Sequence, residues 1–325
     1  MVLKDKVILV TGGTGSFGQK FAEIVLREHE PSAIRIFSRG ELLQHEMRRK
    51  FNDDDRLRFF IGDVRDKERV YRAMVGADIV VHAAALKQVP TCEYNPMEAV
   101  RTNINGTMNV VDAAIDSAVA KVIAISTDKA VHPVNLYGAT KLVAERLFSQ
   151  GNAYTGAQKT RFSCVRYGNV LGSRGSVVPL FLEQKKSGTV TITDERMTRF
   201  WISLEQGVRF VIDCVGRMQG GEVIIPKIPS MKTIDMASAI APEAEQKITG
   251  MRPGEKVDEI LLTEDEARHT GGFDDYFVIK PEYPSWDTNN LPGAKPLPVG
   301  FRYTSRDNDQ WLGKDALVEM LKTIQ

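Results

Sequence analysis

Val7-Ile8-Leu9-Val10-Thr11-Gly12-Gly13-Thr14-Gly15-Ser16-Phe17-Gly18 is the stretch that decides the fold. Its opening apolar run, Val7 to Val10, is too short for a helix and rich in branched side chains, which predicts a buried strand. The chain then passes through glycines 12, 15 and 18 into Gln19 to Glu28, which has helical character. Glycine permits the tight turn, the approach of backbone to a pyrophosphate and close helix–strand packing. The helix N-terminus adds N–H groups and a positive dipole end. Gly12, Thr14, Gly15, Ser16, Phe17 and Gly18 are therefore expected to hold the phosphates of a dinucleotide. A glycine pattern alone is weak; its place between a strand and a helix gives it weight.

Working outward, the same rhythm repeats. Short runs at Ala33-Ile34-Arg35-Ile36-Phe37, Leu57-Arg58-Phe59-Phe60-Ile61, Ile79-Val80-Val81, Val122-Ile123-Ala124-Ile125 and Phe162-Ser163-Cys164-Val165 alternate with helix-like segments near 16–29, 41–50, 67–75, 96–117 and 137–150. That alternation predicts an α/β fold with a doubly wound parallel sheet of Rossmann type. After Tyr167 glycine, proline and basic residues become frequent, which predicts a smaller C-terminal substrate domain. A helix around Leu204–Arg217 followed by Glu222-Val-Ile-Ile-Pro226 reads as a return to the sheet. The expected division is 1–170 plus about 203–227 for the cofactor domain, and 171–202 plus 228–325 for the substrate domain. Residues 281–300, with five prolines, read as an irregular loop.

The end of the second strand bears on the choice of cofactor. An acidic residue there would accept hydrogen bonds from the ribose 2′-hydroxyl of NAD, but the chain has Phe37-Ser38-Arg39-Gly40. Ser38 and Arg39 suit a 2′-phosphate and favour NADP, while Glu41 leaves NAD open. Asp63-Val64 and Ala83-Ala84-Ala85 follow the third and fourth strands, where the rest of the dinucleotide should lie.

Strand five ends in Ser126-Thr127-Asp128-Lys129, and Tyr137-Gly138-Ala139-Thr140-Lys141 opens the next helix. Tyr and Lys at i and i+4 share one helix face. A cationic Lys141 beside the phenol is expected to lower its pKa, so that Tyr137 takes a hydroxyl proton while hydride leaves the same carbon. The Tyr-x-x-x-Lys spacing is a chance-level match by itself. A Ser-Thr strand end before it and a dinucleotide turn upstream make it a candidate catalytic site.

These residues resemble an extended short-chain dehydrogenase/reductase. More narrowly, Gly12-Gly-Thr-Gly-Ser-Phe-Gly18, Ala83-Ala-Ala-Leu-Lys87, Ser126-Thr-Asp-Lys129, Asn135-Leu-Tyr-Gly-Ala-Thr-Lys141, Arg166-Tyr-Gly-Asn-Val170, Gly172-Ser-Arg-Gly-Ser-Val-Val-Pro179 and Met197-Thr-Arg-Phe-Trp-Ile202 together resemble the inverting UDP-N-acetylglucosamine 4,6-dehydratases. The resemblance runs from about residue 5 to 280 and more weakly through Gly300-Phe-Arg-Tyr-Thr304. It implies NADP-dependent oxidation at C4, elimination across C5 and C6, and an L-arabino 4-keto product that enters pseudaminic acid biosynthesis and flagellin glycosylation. Asp128 and Lys129 would supply the second acid/base pair, with Tyr137, Lys141 and Thr127 completing the catalytic set. Glucose-type dehydratases have Thr-Asp-Glu where this chain has Lys129, and the resemblance assigns that lysine to C5. Membrane-bound retaining relatives carry transmembrane helices and methionine in place of the tyrosine; this chain has neither feature.

The resemblance also implies that Lys87 and Asn103 border the cofactor. Lys87, Thr127, Asn169, Ser173, Arg174, Val177, Thr191, Arg199, Arg252 and Glu255 would meet the substrate. Arg174 and Arg252 are the expected diphosphate ligands, Glu255 is expected on a ribose hydroxyl, and Lys256 lies in the same loop. Trp201 reads as core.

Composition narrows the remaining classes. With 42% hydrophobic and 26% charged residues the 325-residue chain is an ordinary globular protein. Its net charge of +1 supplies no field for nucleic acid or an anionic membrane. No apolar run approaches the roughly 20 residues of a membrane span. Cys92, Cys164 and Cys214 lack a disulfide or metal spacing, which predicts a reducing cytoplasm, and the five histidines lack metal-ligand spacing. A homo-oligomer, dimer up to hexamer, is expected. Two rival readings stay open: a nucleotide-sugar C4 epimerase of the same fold, and a non-catalytic NADP-sensing protein.

Overall fold

The computed structural model describes residues 2–156, 159–173, 176–282, 284 and 291–322. The strands are β1 (Val7–Thr11), β2 (Ala33–Ser38), β3 (Leu57–Ile61), β4 (Ile79–His82), β5 (Lys121–Thr127), β6 (Arg161–Tyr167), β7 (Asn169–Leu171), β8 (Thr189–Ile192), β9 (Thr198–Ser203), β10 (Val223–Pro226), β11 (Ser230–Lys232), β12 (Glu245–Ile248), β13 (Ile260–Leu262), β14 (Thr270–Gly272), β15 (Tyr276–Ile279), β16 (Lys295–Pro296) and β17 (Tyr303–Thr304). The helices are α1 (Ser16–Glu28), α2 (Glu41–Lys50), α3 (Lys67–Met74), α4 (Val89–Tyr94), α5 (Pro96–Val100), α6 (Gly106–Asp116), α7 (Leu136–Gly151), α8 (Val177–Lys186), α9 (Leu204–Arg217), α10 (Thr233–Ile240), α11 (Glu264–Ala267) and α12 (Lys314–Lys322).

The large sheet has the order β16-β14-β15-β10-β6-β5-β4-β1-β2-β3. From β3 to β10 every pairing is parallel, and β15, β14 and β16 add an antiparallel margin. These central strands read as near-continuous Val/Ile runs because both faces are covered by helices. The chain leaves β1 toward β2 and β3 on one side and resumes at β4 on the other. This reversal opens a crevice at the carboxyl ends of β1 and β4, where doubly wound sheets bind ligands.

The expected single helix over 96–117 is instead three pieces. Pro96 starts α5, Arg101–Asn105 form a π turn, and α6 follows. The extra residue in the π turn re-aims the face of the helix, a local irregularity common at functional sites. Here it carries Asn103, whose side chain accepts from Leu86 N at 2.8 Å and donates to Thr140 Oγ1 at 2.9 Å. α4, just upstream, has no counterpart in the sequence reading.

A second layer is built from the three-stranded sheet β11-β9-β7 and the pairs β12-β8 and β13-β17. Leu171, Phe181, Ile192, Trp201, Met236 and Leu317 form its separate core. The 228–325 stretch contributes to both layers: β11 and β12 belong to the small sheets, whereas β14, β15 and β16 hydrogen-bond onto the large one. Within the expected 281–300 loop, 283 and 285–290 lie outside the described residues, and Lys295–Pro296 form β16. No helix among the described residues is long and apolar enough to cross a membrane.

Candidate active site

The crevice at the β1/β4 reversal is a cleft of about 870 Å³ running from the glycine turn to the second layer. Its first wall is the turn itself, with Gly12, Thr14, Gly15, Ser16 and Phe17 lining the cavity. Gly12 has φ +66°, and a Cβ there would lie 3.0 Å from the backbone of Ala84. A Cβ on Gly18 would fall 2.3 Å from Gly13 O, so Gly18 serves helix–turn packing beneath the cleft. A bare backbone turn at the start of α1 fits a dinucleotide pyrophosphate.

Ser38, Arg39, Asp63, Val64, Ala83, Ala84, Ala85 and Lys87 line the adjoining wall. Ser38 Oγ accepts from Gln44 Nε2 at 3.0 Å. The Arg39 side chain is 59% exposed and stands 3.9 Å from Asp63. Burial acts to raise the Asp63 pKa, but its bonds from Arg65 and the charge of Arg39 win and hold the carboxyl below its ordinary range. Asn103 stays behind the wall, fixing the Leu86 backbone.

The far end gathers Ser126, Thr127, Lys129, Tyr137 and Lys141 at the end of β5 and the start of α7. Asn135 caps α7 by accepting from Gly138 N at 2.8 Å, and its amide donates to Gly254 O at 2.8 Å. This one side chain therefore fixes both the start of the tyrosine helix and the Arg252–Lys256 loop. Asp128 is fully buried. Its Oδ1 accepts from Thr127 Oγ1 at 2.9 Å and Lys129 Nζ at 3.0 Å, while Oδ2 has no hydrogen-bond partner. Lys129 also donates to Asn169 Oδ1 at 3.2 Å and stands 3.5 Å from Glu259. Burial alone would lower the Lys129 pKa, yet Asp128 and Glu259 outweigh it and Arg199, so the amine is held well above its ordinary range.

Tyr137 is buried beside the Thr127 side chain. Its pKa is pushed up to about 12, chiefly by burial, with Asp128 adding to the rise and Lys129 and Thr127 opposing it. This differs from the expectation that Lys141 lowers it. Lys141 Nζ donates to Ile125 O at 2.8 Å, and burial depresses its own pKa. The cation that acts on the phenol in the free chain is Lys129.

On the substrate side Asn169, Ser173 and Val177 line the cleft, and so does Trp201, which also belongs to the second core. Arg174 lies outside the described residues. Four expected contacts are not on the cleft wall. Thr191 accepts from Gln184 in the second layer. Arg199 spends its guanidinium on the carbonyls of Thr198, Val257 and Lys256, because the 256–257 backbone crosses directly over β9. Arg252 and Glu255 bond to each other across an exposed turn, Arg252 N donating to the carboxylate at 3.0 Å. Glu259, absent from the sequence reading, is the buried acid facing Lys129; nothing in Gly254-Glu-Lys-Val-Asp-Glu259 distinguishes it from its half-buried neighbours.

Residues 8–281 match the profile of the polysaccharide biosynthesis protein family. The chain is 50% identical over 329 residues, 98% of each chain, to a Campylobacter jejuni subsp. jejuni UDP-N-acetylglucosamine 4,6-dehydratase (inverting). It is 40% identical over 332 residues, 98% of this chain and 96% of the other, to a Rickettsia conorii UDP-glucose 4-epimerase. Among solved structures, Pen from Bacillus thuringiensis superposes with a TM-score of 0.92 at 38% identity, covering 100% of both chains. The chain belongs to the polysaccharide biosynthesis protein family, within the inverting UDP-N-acetylglucosamine 4,6-dehydratase group of extended short-chain dehydrogenases/reductases.

Proposed function

We propose that this protein is a hydro-lyase that converts UDP-N-acetylglucosamine to UDP-2-acetamido-2,6-dideoxy-β-L-arabino-hex-4-ulose. The observation that carries the reading is the 3.0 Å ion pair between Lys129, which lines the same cleft as Tyr137, and the fully buried Asp128. C4 epimerisation needs one acid/base, which Tyr137 supplies; a second coupled pair has work only where C5 and C6 react.

Gly12, Thr14, Gly15, Ser16 and Phe17 would hold a nicotinamide dinucleotide, which would supply the acceptor of the C4 hydride and its later donor to C6. The positive charge of an oxidised nicotinamide bound beside the buried phenol would favour its ionised form; Tyr137 then takes the O4 proton as phenolate, with Lys141 holding its place on α7 through the Ile125 carbonyl. Transfer of one proton along the Lys129–Asp128 hydrogen bond turns the ion pair into a neutral amine and a carboxylic acid, the two forms that elimination requires. Lys129 then removes the C5 proton acidified by the C4 ketone, and Asp128 gives its proton to the departing C6 hydroxyl. Lys129 returns its proton to C5 from the opposite face as hydride reaches C6. The proton gained by Tyr137 passes through Thr127 to Asp128 and on to Lys129, restoring the starting state. One water leaves, and no other atom is gained or lost.

Ser38 and Arg39, with no acid at the end of β2, support NADP. Lys87, Asn169, Ser173 and Val177 are assigned to the sugar side, and Arg174, Arg252 and Glu255 to the nucleotide. We assign 1–170 with 203–227 to the cofactor and the remainder to the substrate. A cytoplasmic homo-oligomer feeding pseudaminic acid synthesis fits the reading, and Cys92, Cys164 and Cys214 are free and buried.

Incubation with UDP-N-acetylglucosamine and NADP, followed by mass spectrometry, tests the reading. A product lighter by one water supports it, and an isomer of unchanged mass establishes the epimerase instead.

A further inference from the structure

Lys129 stands beside two carboxylates, and only one of them has been given a task. The other, Glu259, is 3% exposed, with Oε1 3.5 Å from Lys129 Nζ and 3.8 Å from Arg199 Nε. Its Oε2 is 3.8 Å from Lys256 Nζ and has no hydrogen-bond partner. A carboxylate this buried is tolerable only beside cations. The other two cations are committed elsewhere: Arg199 to the carbonyls of Thr198, Lys256 and Val257, and Lys256 to Val131 O at 2.5 Å. Those bonds fix the segment that carries Glu259, and Ser305 Oγ accepts from Glu259 N at 2.9 Å. The acid is thereby held rigidly against the one cation that must change its charge.

We propose that Glu259 is a positioning residue that sets the basicity and direction of Lys129, stabilising its ammonium form alongside Asp128. The inference rests on the dehydratase reading for its catalytic meaning, though not for its electrostatic content. When Lys129 accepts the C5 proton it changes from amine to ammonium, and a fixed negative charge beside it favours the product of that step over its reactant. Asp128 cannot serve alone, because it is neutral at the moment it loads the leaving hydroxyl. Glu259 does not line the cleft. The groups facing Lys129 are Asp128 beside it, Tyr137 from α7, Lys87 after β4, Asn169 on β7, Arg199 on β9, and Lys256 and Glu259 before β13. Among them Glu259 and Asp128 are the two anions that raise the lysine.

The test reads Lys129 itself in the full chain. Its rate of acylation by acetic anhydride, followed by peptide mass spectrometry across alkaline pH, gives the titration midpoint. For Glu259→Gln the midpoint is expected to fall by about one pH unit or more, as for loss of one opposite charge within hydrogen-bond range. An unmoved midpoint in a folded variant overturns the proposal. If Glu259→Gln does not fold, Glu259→Asp, which keeps the charge but withdraws it, should lower the midpoint by less; no change there also overturns it. With substrate, the pH at which solvent deuterium begins to enter C5 should fall together with that midpoint in Glu259→Gln, while C4 oxidation stays at the wild-type rate. Equal slowing of both steps marks a merely structural role. A wild-type chain that releases no water from UDP-N-acetylglucosamine defeats the dehydratase reading, and the Lys129 titration still decides the role of Glu259.

Discussion

Lys141 Nζ donates a 2.8 Å hydrogen bond to the carbonyl oxygen of Ile125, tying the tyrosine helix to the strand whose end carries Thr127. The lysine is thus an anchor as well as a charge. Tyr137 packs against Cys92 and Ala99, with Leu86, Val89 and Leu136 around them, so its ring has a stable seat independent of its hydroxyl.

Tyr137→Phe keeps that seat and removes the proton acceptor. Turnover should fall by roughly 10²- to 10⁴-fold, the usual worth of a positioned general base, with the thermal midpoint nearly unchanged. Lys141→Met should lose activity and stability together, because the Ile125 carbonyl loses a buried donor at a cost of about 1–3 kcal/mol. Steady-state product assays beside thermal melts separate the two. A Phe variant with wild-type turnover removes Tyr137 from the mechanism.

The central fold was legible because parallel strands buried on both faces announce themselves as apolar runs. Val7 to Val10 and Val122 to Ile125 carry their assignment in composition alone. Helix 96–117 was legible as a helix but not as a broken one, since a π turn is set by where Asn103 must reach and not by local propensity. In the site, Gly12 and Tyr137 stood out by spacing, and Lys129 through the family resemblance of its Ser-Thr-Asp-Lys strand end. Glu259 did not, because its meaning comes from the packing of β9 and the 256–257 backbone, which brings residues distant in sequence into one cluster. Arg199 misled for the same reason: an arginine in a loop-like motif looks available until the carbonyls that occupy it are seen.

Lys129→Ala should uncouple the two halves of the reaction. Tyr137 and the glycine turn remain, so C4 oxidation proceeds and reduced nicotinamide accumulates, visible by absorbance. Elimination stops for want of a C5 base, and no dehydrated sugar forms. Buried Asp128 also loses its ion-pair partner, so some loss of stability should accompany the change. Normal 4-keto-6-deoxy product from this variant would refute the role of Lys129.

Arg39 gives the cofactor choice a direct handle. Its guanidinium stands at the cleft mouth beside Asp63, free to turn toward a 2′-phosphate. Arg39→Ala should weaken NADP about tenfold or more, the value of a charge-assisted hydrogen bond of roughly 1.5–3 kcal/mol, and leave NAD affinity nearly unchanged. Titration of both dinucleotides by calorimetry reads the difference. Equal losses for both would show that Arg39 does not read the 2′ position.

His82 makes the fold sensitive to acid. Its Nδ1 lies 2.8 Å from Thr11 Oγ1 and its Nε2 3.4 Å from Thr107 Oγ1. Thr11 Oγ1 already accepts from Ala83 N and Ala84 N, so its own hydrogen goes to Nδ1 and the imidazole is the neutral Nε2–H form. Burial, with Lys141 adding repulsion, lowers its pKa to about 3. An unfolded histidine titrates near 6.5. Between those values the unfolded chain binds a proton that the folded chain refuses, so stability is full above about pH 6.5 and falls as pH drops toward 3. The loss from this one group is roughly 1.4 kcal/mol per pH unit. Urea unfolding at a series of pH values from 7 to 4 should show His82→Gln less stable than wild type at neutral pH, because the two threonine contacts are disturbed, but with a shallower decline on acidification. Parallel declines for the two proteins would mean that other groups govern acid unfolding.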